Sequence, residues 1–356
     1  MPVIASAATA LPEHRYAQAD ITEAFADLMV GRGPDGHLRD VIRRTHQATT
    51  VRNRHLVLPL EEYTPLDDFG KANDVFLREA PLLAARAASA ALQAAGVDAE
   101  EVDVVVSTTV TGVAVPSIDA RLVPLLGLRS DVRRLPLMGL GCVAGAAGVA
   151  RVADLLAGAP ESVAVLVSVE LCSLTLQHDD PSMANIVASG LFGDGAAAVV
   201  MVGDSRARRM GLDGPRCVDA HAHFFDGTER VMGWDVGPSG LRVVLSPEVP
   251  DLVASQLPDV AKALLGRHGL EVADVETWIV HSGGPKVLEA IEQSLAVERS
   301  ATELTWQSLN QVGNLSSASV LDVLGRSLAA RPRTGAPAMM AAMGPGFCAE
   351  LVLLEW

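Results

Sequence analysis

Hydrophobic and polar positions along the chain alternate between two rhythms. Continuous apolar runs rich in β-branched residues, VDVVVSTTV (Val102–Val110) and SVAVLVSVE (Ser162–Glu170), predict strands buried on both faces. Before the first of them, LREAPLLAARAASAALQAAGV repeats Ala and Leu at helical spacing and ends at Gly96, a C-cap position. LFGDGAAAVVMVG (Leu191–Gly203) predicts a tight Gly-Asp-Gly turn and then a strand. The second half repeats this grammar. PEVPDLVASQLPDVAKALLGRHGL reads as helix, VETWIVHSGG as a strand ending at His281 and a glycine turn, and GNLSSASVLDVLGRSLAA as a turn and helix. PAMMAAMGPGFCAELVLLEW reads as strand, glycine turn, strand. Buried strands alternating with helices argue for α/β layers. The two halves close alike, on GLFGDGAAAVVMV and AMGPGFCAELVLL, which predicts an internal duplication with halves 1–205 and 206–356.

Length and composition narrow the class. The chain has 356 residues, 49% of them hydrophobic, enough for one large domain or two fused half-domains. A net charge of −15 argues against nucleic-acid binding through a broad basic face. One local exception is DVIRRTHQATTVRNRHL, whose Arg43, Arg44, Arg52 and Arg54 make either a solvated helix end or a phosphate site. No uncharged apolar run reaches the roughly 18 residues of a membrane span, so no membrane association is expected. The N-terminus, MPVIASAATALPEHRYAQ, lacks a basic stretch before its apolar residues and reads as a strand, which makes the cytoplasm the expected location. The four cysteines, Cys142, Cys172, Cys217 and Cys348, are scattered, as free thiols would be. No Cys/His pairing has metal-ligand spacing, so no metal is expected.

Cys142 stands out in LPLMGLGCVAGAAGVARVADLL, where an apolar stretch breaks at Gly139 and Gly141 and a run of small helix formers follows. If a helix starts there, its free N–H groups and dipole favour thiolate, and the turn leaves a backbone donor for an oxyanion. The other reading is a core cysteine under a packed helix. A nucleophile needs a base, and His281, at a strand end before Gly283 and Gly284, is the best placed histidine. It is equally read as a hydrogen-bonded strand terminus. Asn314, after Gly313 at a helix start, is either an N-cap or a donor to a substrate carbonyl.

Together GLGCVAGAAGV, LFGDGAAAVV, VHSGGPKVL, GNLSSASVL and MGPGF resemble, in order and rough spacing, the motifs of type III polyketide synthases, the chalcone synthase-like enzymes. HSGGP is similar to that family's HPGGP, whereas the related ketoacyl-ACP synthases III usually carry HQAN. Gly344-Pro345-Gly346 resembles the family's GFGPG. The resemblance spans the whole chain. It implies a thiolase-type five-layered αβαβα fold of two duplicated halves, and a homodimer. It implies that Cys142 is acylated by a starter acyl-CoA, that His281 pairs with it as an imidazolium, and that Asn314 joins His281 in holding the malonyl thioester carbonyl during loss of CO₂. Phe192 matches an aromatic gatekeeper between the CoA tunnel and the pocket. Met343 stands where many plant members have a second aromatic, and Gly344 and Pro345 match the loop that shapes the pocket floor. Arg44 matches one basic CoA contact, although Val41 and Ala48 replace its two flanking lysines. Lys286 is either a phosphate contact at the tunnel mouth or a surface lysine.

The expected pocket residues Thr111, Cys172, Thr175 and Val243, with Val113 nearby, are small or flexible, and aromatic residues are only 4% of the chain. This suits a fatty acyl-CoA starter extended with malonyl-CoA or methylmalonyl-CoA and closed to an alkylresorcinol or alkylpyrone. CoA thioesters are substrates in this reading, and no separate cofactor is expected. Two alternatives share the fold: a ketoacyl-ACP synthase III-like enzyme using ACP-bound malonate, and an inactive acyl-binding subunit, which would not need the Cys/His/Asn set.

Overall fold

The computed structural model describes residues 1–31 and 36–356. Among them thirteen strands run in chain order: β1 Val3–Ala10, β2 His14–Ala17, β3 Asn53–Leu56, β4 Val104–Thr108, β5 Arg133–Leu137, β6 Val163–Leu171, β7 Asp194–Val202, β8 Arg216–Phe224, β9 Met232–Gly237, β10 Gly240–Leu245, β11 Thr277–Val280, β12 Pro337–Gly344 and β13 Cys348–Glu355. Nine form one sheet, in the order β11-β12-β13-β8-β1-β7-β6-β4-β5, and two hairpin-like pairs, β9–β10 and β2–β3, stand apart. The two halves of the large sheet meet at one residue pair between β1 and β8, Val3 with Arg216.

Helices cover both faces, so the central strands carry no polar side. Every residue of β4, β6 and β7 is buried, as the unbroken apolar runs predict. One outer layer is the helix Phe69–Ala95, which buries an alanine-rich face against the first half of the sheet. Asp68 caps its N-terminus by accepting from the Lys71 N–H at 2.9 Å, and Gly96, with φ +63°, closes it as expected. The opposite outer layer is built from Val249–Gly266 and Pro285–Leu295. Between the two half-sheets lie the helices Ala144–Ala157 and Ser319–Ala330, sharing one core with side chains of both halves. The result is the five-layered αβαβα arrangement. One local expectation changes: Asp194 is not in a turn but opens β7, fully buried. No helix among the described residues is long and apolar enough to cross a membrane.

The central layer closes because small residues let backbones touch. A Cβ on Gly145 would lie 2.3 Å from the Ser317 carbonyl oxygen, and one on Gly148 would lie 2.7 Å from Leu166 Cδ1. Overpacking of this kind costs about 1–3 kcal/mol. Gly145→Val is therefore expected to lower the urea-unfolding free energy by about 3 kcal/mol. Gly158→Ala, whose Cβ meets nothing nearer than 3.7 Å, should move it by less than about 0.5 kcal/mol.

Candidate active site

Cys142 sits in a 3₁₀ turn, Gly141–Val143, between β5 and the helix that begins at Ala144. Gly139 and Gly141 adopt φ of +87° and +54°, the left-handed region the sequence anticipates. The turn is clamped from the other half of the chain. A Cβ on Gly141 would lie 2.7 Å from the Pro345 ring, and one on Gly344 would lie 2.7 Å from the Leu140 carbonyl oxygen. Gly344 and Pro345 thus press against the backbone that presents the thiol. Met343 is buried in the C-terminal core with Phe225 and Phe347 rather than in a cavity wall.

The half-buried Cys142 thiol lies 3.5 Å from the Ser316 hydroxyl. Burial pushes it up to about 12, the Ser316 hydrogen bond pulls it down, and the charge of Glu170 pushes it up again. Desolvation therefore outweighs the N-terminal field that the sequence suggests would favour thiolate. His281 extends the β11–β12 pairing, its N–H donating to Ala341 at 2.8 Å. Its side chain is buried, and burial lowers it to about 4, so the imidazole is neutral at pH 7. Its Nδ1 has no partner among the described residues.

The Asn314 side chain turns back on its own segment. Its Oδ1 accepts from the Ser316 N–H at 2.8 Å, as a cap does, and from the Ser319 hydroxyl at 3.2 Å. Those bonds fix the amide orientation and leave Nδ2 without a partner among the described residues. The Asn314 backbone is tied to the segment around Phe192: its N–H donates to the Leu191 carbonyl and its carbonyl accepts from the Gly193 N–H, both at 2.9 Å. The turn after His281 reaches the same place, since a Cβ on Gly284 would lie 3.4 Å from Leu191 Cδ2.

Three residues that the sequence reading did not place beside Cys142, His281 and Asn314 complete the surroundings. Ser316 has a positive φ of +50° and puts its hydroxyl on the thiol. Glu170, fully buried, accepts from the Val110 N–H at 3.1 Å, from the Thr111 hydroxyl at 2.9 Å and from the Ser317 hydroxyl. A carboxylate inside an apolar strand, SVAVLVSVE, was the available signal for Glu170. Thr111 is thus committed to Glu170, not to a cavity wall. The third is Arg54, discussed below.

Beside this cluster opens a cavity of about 90 Å³. Phe192, Cys172, Thr175 and Val243 are in its wall, as expected, with Arg54 and Tyr63. Cys142, His281 and Asn314 are not in it, and Phe192, bridged to Asn314, stands between. Arg44 is exposed on the helix His37–Ala48, with Nε donating to Asp40 at 3.3 Å, and Lys286 is exposed in the first turn of Pro285–Leu295. Neither reaches the cavity.

Known proteins match over the whole chain. The chalcone and stilbene synthases match through their N-terminal domain over residues 2–205 and their C-terminal domain over residues 216–355. A 1,3,6,8-tetrahydroxynaphthalene synthase of Streptomyces peucetius is 51% identical, over 99% of this chain and 93% of that protein. An alpha-pyrone synthesis polyketide synthase-like protein of Mycobacterium tuberculosis is 28% identical, over 99% of this chain and 91% of that one. The crystal structure of 1,3,6,8-tetrahydroxynaphthalene synthase from Streptomyces coelicolor, a bacterial type III polyketide synthase, superposes with a TM-score of 0.91 at 32% identity, covering 99% of each chain.

The clamp on the Cys142 turn makes a sharp prediction. Gly141→Ala forces a side chain into the left-handed region and onto Pro345. Turnover, followed as CoA release, should fall at least about 100-fold, because misplacing a reacting atom by about 1 Å costs that much. Far-ultraviolet circular dichroism should stay unchanged.

Proposed function

The chain belongs to the chalcone and stilbene synthase family and is a type III polyketide synthase, a decarboxylative condensing enzyme, and on that footing we propose that it builds a polyhydroxynaphthalene from malonyl-CoA alone. The observation that carries this reading is the mixed wall of the cavity behind Phe192. Arg54, Tyr63, Ser173, Thr175 and Asn185 stand there among apolar side chains. Tyr63, Ser173, Thr175 and Asn185 are already hydrogen-bonded within the protein, but Arg54 Nη2 has no partner among the described residues. A poly-β-keto chain, with an oxygen on every second carbon, can pair it, whereas a long alkyl chain cannot. The 51% identity to a tetrahydroxynaphthalene synthase supports the same product class, an aromatic with oxygen on alternate carbons.

Chemistry follows from the groups around Cys142. The thiol passes its proton to His281, and the thiolate attacks the thioester carbonyl of the bound CoA ester. The C–S bond to CoA breaks, and CoA leaves as a thiolate. Neither partner ionises alone, because burial pushes the thiol up to about 12 and the imidazole down to about 4. The reading requires the proton to move between them as a pair, each charge compensating the other. A second malonyl-CoA then loses CO₂, and the electron pair of the broken C–C bond becomes an enolate. Asn314 Nδ2 and a His281 N–H are the donors for its oxygen, and Asn314 carries no charge to repel it. The enolate carbon attacks the acyl-Cys142 carbonyl, and the Cys142 thiolate is the leaving group. Phe192 presents an apolar wall, which disfavours the carboxylate relative to CO₂. The reading includes a homodimer: β5 is an edge strand, and Val115 and Met138 near it are 91% and 69% exposed.

A second reading keeps an acyl-CoA starter and closes the chain to a resorcinol or pyrone. Ile21, Phe25, Leu28 and Leu60 on the same wall favour it, as does likeness to the mycobacterial pyrone-synthesis protein. Mass spectrometry separates the two. With malonyl-CoA alone, the expected product is a polyhydroxynaphthalene, and strict dependence on an added fatty acyl-CoA would overturn the first reading. For the pair chemistry, His281→Ala should slow alkylation of Cys142 by iodoacetamide at pH 7 at least about 10-fold, because the thiol then has no proton acceptor. An unchanged rate would sink the role of His281.

A further inference from the structure

Among the described residues, Arg54 is the one charged side chain in the wall of the cavity. The run TTVRNRHL makes it look like part of a solvated basic cluster, yet it is only 2% exposed. Its donors are unequally used. Nε donates to Gln18 Oε1 at 3.0 Å, and Nη1 donates to the carbonyls of Ser189 at 2.6 Å and Phe192 at 2.8 Å. Nη2 is buried and has no partner among the described residues. Asp194 is the acid that acts on it most, but the Asp194 oxygens are already occupied. They accept from the Val57 N–H at 2.7 Å, from the Ser173 N–H at 2.8 Å and from the Ser173 hydroxyl. Burial lowers Arg54 to about 10, which leaves it protonated at neutral pH. The side chain is also held in place: a Cβ on Gly313 would lie 3.2 Å from its Cδ.

A buried guanidinium with an idle donor is costly unless something takes that donor. We propose that Arg54 is a specificity-determining residue, binding an oxygen of the growing poly-β-keto chain through Nη2 and holding that chain extended behind Phe192. The inference rests on the reading that the chain grows by malonyl units. The carbon between two carbonyls loses its proton to water readily, and the resulting enolate spreads its charge over two oxygens. A charge-assisted hydrogen bond to that oxygen is roughly twice as strong as a neutral one. An oxygen held this way is not free to close a small lactone on a nearby carbonyl. Arg54 thereby delays ring closure until the chain is complete, and the grip of Nη1 on the Phe192 carbonyl couples it to the gate.

Two measurements on the full-length protein test this. The first is calorimetric binding of acetylacetone against its dimethylated derivative, which cannot form an enolate. The parent should prefer acetylacetone by about 10-fold, and Arg54→Gln should bring the two within about 2-fold of each other. Arg54→Lys, which keeps the charge but not the fork, should fall between them. The second is the product distribution by mass spectrometry. Arg54→Gln should raise the share of truncated lactones at least about 5-fold, a change that loss of folded protein alone would not produce. No preference in the parent, an equal preference in the parent and in Arg54→Lys or Arg54→Gln, or an unchanged product distribution would each overturn the assignment. If Arg54→Gln does not fold, the parent and Arg54→Lys still decide it. A parent that requires an acyl-CoA starter refutes the malonyl-only reading instead, and the Arg54 measurement then runs with that starter, because each extension adds the same β-keto unit.

Discussion

The site depends on one close approach, between the helix behind Cys142 and the segment that carries Asn314 and Ser316. Gly145 lets the backbone of the first come within van der Waals reach of the Ser317 carbonyl. Only then does the Ser316 hydroxyl reach the thiol, and only then does Glu170 accept from the Ser317 hydroxyl across the sheet. The first helix belongs to one half of the chain and the second segment to the other. Cys142 is therefore held by one half, and His281 and Asn314 by the other. The central layer brings the two halves of the sheet together at a single place.

Desolvation sets the electrostatics of that layer. It raises Cys142, Glu170 and Asp194 and lowers His281, in each case favouring the uncharged form. A resting site built this way holds little charge of its own. Charge enters with the substrate or arises in pairs during reaction, where fixed donors meet it without reorganising. Arg54 and Asp194 are exceptions: Arg54, lowered to about 10, stays protonated, and Asp194, raised only to about 6, stays largely ionised at pH 7.

Strands and layers were legible, and the three candidate site residues could be singled out, because each leaves a local mark. β4, β6 and β7 are unbroken apolar runs, and Cys142, His281 and Asn314 each stand beside glycines that a sharp turn requires. What stayed hidden was set by partners far away in the chain. Thr111 looks like a pocket residue until Glu170 folds against it, and Arg54 looks solvated until Ser189, Phe192 and Gln18 surround it. Met343 reads as a wall residue by its position, but Phe225 and Phe347 bury it. A short polar side chain or a lone arginine does not say in one dimension which neighbours will claim its hydrogen bonds. The starter expectation drew on the small side chains at pocket positions and missed the hydroxyls and the guanidinium that share the wall.

The hairpin β9–β10 joins no other sheet, yet Trp234 and Val243, paired across it, both line the cavity. Phe192, in another part of the wall, is bonded through its backbone neighbours to Asn314. The two walls therefore differ in how freely they can be altered. Changes at Phe192 propagate to Asn314 through the backbone, whereas changes in the hairpin reshape the chamber without that link. A lineage, or an engineer, seeking new ring sizes from this scaffold has a detachable wall in the hairpin and a fixed one at the gate.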